Sequence, residues 1–93
     1  MALRSQLIGY DLNRPGQDYK DLIEAIKELA NGYWHHLDST WIIRTEKSTS
    51  EVRNALKGHI DSGDELLVID VSGDLWATAG MSESANDWLR KYV

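Results

Sequence analysis

The chain has no cysteine and no phenylalanine, one proline, and only 10 lysines and arginines against 15 aspartates and glutamates in 93 residues. Without cysteine there is neither a disulfide framework nor a thiolate metal site. A secreted chain this short usually carries bridges, so a reducing, cytoplasmic location is expected. The segment MALRSQLIGYDL lacks the basic-then-apolar pattern of a signal sequence. The longest unbroken apolar run is Leu66 to Ile69, so no membrane span is expected. A net charge of −5 argues against tight sequence-independent nucleic-acid binding, which needs a basic stripe. A local basic patch, or a substrate bridged through a metal, is compatible with that charge.

What is present reads as one domain over residues 1–93, with a core at 6–72 and a C-terminal appendage at 73–93. A domain of this size buries only about 60–65% of the surface that its unfolded chain exposes, and dimerisation is a common remedy. Residues 6–12 are apolar and rich in strand formers, and Asn13-Arg14-Pro15-Gly16 breaks them. Over 18–30, Tyr19, Leu22, Ile23, Ile26, Leu29 and Ala30 fall on one helix face. Asp18 is the expected N-cap there and Asn31-Gly32 the stop.

Tyr33–Leu37 and Thr40–Thr45 read as two strands around a turn at Asp38-Ser39. Ser48 and Glu51 have capping-box spacing. The helix they open is expected to run over 49–60, with Val52, Leu56, His59 and Ile60 on its inner face. Residues 65–71, with five aliphatics, read as a central strand, and 75–79 as a short edge strand. Ala85, Trp88, Leu89 and Tyr92 predict a last amphipathic helix that starts near Ser82 or Ser84.

The expected fold is therefore α+β: a ferredoxin-like βαββαβ antiparallel sheet with two helices on one face, plus a C-terminal helix. Right-handed crossovers put both main helices on the same side. The strands are apolar on both sides, so the C-terminal segment or a partner subunit must cover the other face. A homodimer is the expectation from that surplus.

The stretch Ile8-Gly9-Tyr10-Asp11-Leu12, a first strand ending in aromatic-Asp-aliphatic, resembles CRISPR-associated protein two and its relative virulence-associated protein D. Ser39-Thr40-Trp41 is similar to the serine, small residue and aromatic of that family's hairpin. GYDLN-PGQDY, WHHLDSTW and DELLVIDVSGD also resemble small bacterial proteins often labelled "SinR-like". The resemblance covers roughly 6–72. It implies a homodimer and a metal-dependent nuclease site at the aspartate ending the first strand, which is Asp11 here. Two features depart from it: the acidic balance, and a 75–93 tail that is not a short strand. The SinR label implies a helix-turn-helix DNA reader, but no two helices here flank a tight glycine turn.

The expected sheet gathers Asp11, Asp38, Ser39, Thr40, Asp64 and Glu65 at one end. Crowded carboxylates repel, and a divalent cation relieves that. The candidate metal ligands are Asp11 and Asp38, with Mg²⁺ or Mn²⁺ as cofactor and Asp11 paired across a dimer axis. The bland alternative is that wet loops simply collect acidic residues. His35 and His36 must take opposite strand faces. If the strand continues, His36 shares a face with Trp34 and Asp38, and with Asp38 as orienting partner it is a candidate catalytic base, alongside Asp11 as the other catalytic candidate; a half-buried structural histidine is the alternative. His59 reads as a capping or core residue. The tryptophans read as core and interface mass rather than base-stacking platforms. Asn13–Gly16 lacks the later Gly-Lys-Ser/Thr of a phosphate loop.

Two functional classes follow. One is a small dimeric nuclease-like scaffold, a metal-dependent endonuclease acting on RNA or DNA, of the CRISPR-adaptation or toxin kind. The other is a catalytically inactive dimeric protein-interaction module, linked to host defence or prophage.

Overall fold

The computed structural model describes residues 2–13 and 19–93. The elements are β1 (Arg4–Asp11), α1 (Lys20–Leu29), β2 (Tyr33–Leu37), β3 (Thr40–Thr45), α2 (Thr49–Leu56), β4 (Glu65–Asp70) and α3 (Glu83–Tyr92), with a 3-10 turn at Lys57–His59. The class is α+β. One four-stranded sheet has the order β2-β3-β1-β4. Each neighbouring pair is antiparallel, so β1 and β2 run one way and β3 and β4 the other.

Alternation along the strands sorts the side chains into two layers. On one face Ile8, Trp41 and Ile43 meet Leu22 and Ile26 of α1 and Val52 and Leu56 of α2. Each such aliphatic, once buried, stabilises the fold by roughly 1.5–3 kcal/mol. On the other face Trp34 and Ile42 pack against Ala85 and Leu89 of α3. The Trp34 indole N–H donates to the Ala85 carbonyl at 3.1 Å, which removes the cost of burying it. Ser5 Oγ donates to the Tyr92 carbonyl at 2.5 Å, and Arg44 Nη1 donates to Ser5 Oγ at 2.9 Å. These bonds fix the C-terminal turn of α3 against β1 and β3. The C-terminal segment is thus the element that covers the second face, and it covers only the β2–β3–β1 side. Leu67 and Ile69 on that face of β4 remain 55% and 43% exposed.

Several sequence expectations change. The central strand of 65–71 is an edge strand, and 75–79 forms no strand. Apolar runs usually mean burial on both faces; here the run lies at the sheet margin. Helix α2 stops at Leu56, and His59, in the 3-10 turn that follows, is exposed rather than inward. The capping box is formed: Ser48 N donates to Glu51 Oε1 at 2.9 Å and Glu51 N to Ser48 Oγ at 3.1 Å. Ser82 caps α3 by accepting from Ala85 N at 3.2 Å. Tyr19 occupies the N-cap position of α1 without a side-chain cap. Asp18 and most of the 13–16 break lie outside the described residues. No helix among the described residues is long and apolar enough to cross a membrane.

Candidate functional site

The strand directions bring the ends of β1 and β2 to the same margin of the sheet as the starts of β3 and β4. Asp11 is paired with Glu65 across the β1–β4 ladder, and Gly9 with Thr40 across the β1–β3 ladder. Tyr10 N donates to the Ser39 carbonyl at 3.1 Å, which ties the β2–β3 turn to the same end. Directly opposite residues share a face, with Cβ atoms about 4.5–5.5 Å apart. Asp11 and Glu65 are therefore two exposed carboxylates side by side on the α3 face. Among the described residues neither carboxylate has a hydrogen bond or ion pair to a protein group. Like charges placed this way are unfavourable unless something neutralises them.

Asp64, at the same end, is spent on structure. Its Oδ1 accepts from Asn13 N at 2.8 Å. Its Oδ2 accepts from Asp61 N at 2.8 Å and from the Tyr19 hydroxyl at 2.9 Å. One carboxylate thus joins the turn before β4, the exit of β1 and the entry to α1. Asp38 contributes its carbonyl, which accepts from the Tyr10 hydroxyl at 3.4 Å. His35 Nε2 lies 3.3 Å from that same oxygen. The Asp38 carboxylate is exposed and has no bonded partner among the described residues.

The two histidines do point to opposite faces. His35 stacks on Trp41, with ring centroids 3.7 Å apart and planes 11° apart. His36 lies against Trp34 at 5.1 Å. The structure does not bring His36 to Asp38 through a hydrogen bond. A bulge between Trp34 and Leu37 shifts the period by one, so Leu37 pairs with Thr40 and the strand ends there. His36 is also two strand spacings, about 10 Å, from the strand that carries Asp11. Glu65 is the residue that register adds to Asp11. From sequence it was only one member of a loop cluster; the ladder pairing singles it out.

Among the described residues no group of three or more histidines, aspartates and glutamates is close enough to cage a metal. The Asp11–Glu65 pair can supply two oxygen ligands, and water or a substrate phosphate must complete any shell. At the opposite end of the sheet an open groove of about 530 Å³ is lined by Arg4, Gln6, Glu46, Lys47, Ser48, Glu51 and Asp70 among others. There Arg4 Nε donates to Asp70 Oδ2 at 2.7 Å and holds the Asp70 carboxyl below the usual carboxylate range. Cations and carboxylates alternate around this groove, so it selects neither an anion nor a cation. No family model matches the chain, and no solved structure matches it.

Proposed function

We propose that this chain is a dimeric, nuclease-like scaffold of ferredoxin-like type, with Asp11 and Glu65 as the oxygen ligands of a divalent cation. The β-α-β-β-α-β order, with β1 and β3 at the centre of the sheet, supports the fold reading. The observation that carries the functional reading is the unneutralised Asp11–Glu65 pair on an open sheet end. Both groups are hard, anionic and exposed, which suits Mg²⁺ or Mn²⁺. When bound, such a cation supplies a Lewis acid that lowers the pKa of water and orients a phosphodiester of RNA or DNA. The acidic chain then meets its substrate through the cation rather than through a basic patch. Asp38, in the adjoining turn, is the further carboxylate at this margin. His36 lies too far across the sheet to act at the same centre. This reading keeps the resemblance to CRISPR-associated protein two and virulence-associated protein D as the source of the reaction class.

Single-stranded RNA and duplex DNA incubated with Mg²⁺ or Mn²⁺ test the reading. Cleavage by the wild type, lost in EDTA and in Asp11→Asn and Glu65→Gln, is the expected result. Cleavage that survives both substitutions would contradict it. The second reading, a catalytically inactive interaction module, is favoured by one observation, the open apolar face of β4 at Leu67 and Ile69. Metal-independent melting and no cleavage by the wild type would select it.

A further inference from the structure

Strand β4, ELLVID, is the most apolar stretch of the chain, yet it lies at a sheet margin. Natural edge strands are blunted by lysine, proline, bulges or shortness. The other margin, β2, follows that rule: it has five residues, a bulge and two histidines. The interior of β4 has none of these devices.

The outward backbone of β4 can be assigned. Val71 N donates to the Ser5 carbonyl at 2.9 Å. In an antiparallel ladder alternate residues turn both peptide groups to the same side. Odd-numbered residues of β4 therefore bond β1, while Leu66, Val68 and Asp70 present N–H and C=O outward. None of these outward groups has a backbone partner among the described residues.

We propose that this edge pairs with the β4 edge of a second copy of the chain, antiparallel and centred on Val68. The inference rests on the dimeric part of the reading above and is independent of the metal. A twofold axis normal to the sheet keeps like faces together, so residues of equal parity meet. In this register Val68 faces the partner's Val68, Leu67 faces the partner's Ile69, and Leu66 faces the partner's Asp70. The outward groups then form about six new backbone hydrogen bonds. No carboxylate opposes another across the seam.

Charge selects this occupant. Arg53 of α2 lines a small groove beside the edge with Leu66, Leu67 and Val68. Its guanidinium bonds only the neutral Asn54 side chain, at 2.9 and 3.1 Å, and no carboxylate among the described residues. Asp70 lies on the same face as Arg53, as the pairing of Gln6 with Asp70 and of Ile8 with Val68 fixes. Opposite Leu66, the partner's Asp70, whose carboxylate already accepts from its own Arg4 at 2.7 and 3.2 Å, therefore meets Arg53 as a second guanidinium, twice per dimer. Leu67 and Ile69 gain the partner's Ile69 and the partner's Leu67 as cross-strand neighbours on their face, and β4 becomes the central strand that its composition describes. The two Asp11–Glu65 pairs then lie at opposite ends of the joined sheet, each built by one subunit.

Sedimentation equilibrium on the full chain tests this. The wild type is expected at about twice the 10.6 kDa chain mass at micromolar concentration. Val68→Pro removes an outward N–H, which an edge strand tolerates, and trims a half-buried side chain that packs on the α1–α2 core; it is expected to be monomeric and less stable, with unchanged far-UV circular dichroism. Leu67→Lys changes an exposed side chain and gives the same readout if the proline variant does not fold. A monomeric wild type at ~100 μM, well above a micromolar Kd, overturns both this inference and the dimeric reading. A dimeric wild type whose folded variants remain dimers overturns the β4 pairing alone.

Discussion

Asp11 and Asp64 are the same residue type at the same end of one sheet, and their surroundings give them opposite work. Asp64 accepts from two backbone N–H groups and a tyrosine hydroxyl. Asp64→Ala leaves those donors short of an acceptor, and a loss of about 2–3 kcal/mol in a denaturant titration is expected. Asp11 makes no such bonds and faces Glu65, so its substitution should not cost stability. The capping box of α2 gives a second residue-scale prediction. Ser48→Ala should lower stability by about 1 kcal/mol, read from the shift of the denaturation midpoint. The bond from the Ser48 backbone, then that from its side chain, holds the Glu51 carboxyl below its ordinary value. A lowered folded-state pKa means stability that is present above the unfolded value and lost as pH falls through the folded one. The gap between wild type and Glu51→Gln should therefore close on acidification below the ordinary glutamate range.

Among the elements, α3 tests how the second face is closed. Only Ala85 and Leu89 of this helix are fully buried, against Trp34 and Ile42. Leu89→Ala should cost about 2–4 kcal/mol, and fluorescence should report exposure of Trp34 with the global transition. The amphipathic spacing of α1 and α3 and the capping box at Ser48 are legible in the sequence, because each is a local signal; the start of α3 is legible only as Ser82 or Ser84, and Ser82 is the cap. The acidic sheet end was legible as well, since strand directions alone assemble it. Three features were not. The run 65–71 says that a strand is apolar on both sides, but not that it ends up at the margin of the sheet. The bulge in β2 is a one-residue irregularity in WHHL that sequence alternation does not announce, and β2 ends at Leu37, before Asp38. The pairing of Asp11 with Glu65 needed the register of two strands 54 positions apart.

The whole molecule is a four-stranded sheet with α1 and α2 on one face and a single helix, α3, strapped over half of the other. The uncovered half meets a pair of unneutralised carboxylates at its end. The apolar margin and the acidic end are separable, and the variants that probe one should leave the other unchanged. Leu67→Lys should keep whatever cation response the wild type has, as read by thermal melting with and without Mn²⁺. The most direct measurement of the central claim is a set of thermal melts of wild type and Asp11→Asn, each in EDTA and in Mn²⁺. The account predicts that Mn²⁺ raises the melting temperature of the wild type alone. It also predicts that the variant in EDTA melts at or above the wild type, because removing one of two opposed like charges is favourable by roughly 0.2–1 kcal/mol. An Mn²⁺ effect on neither protein, with the variant melting lower, would contradict it and leave Asp11 as a structural residue.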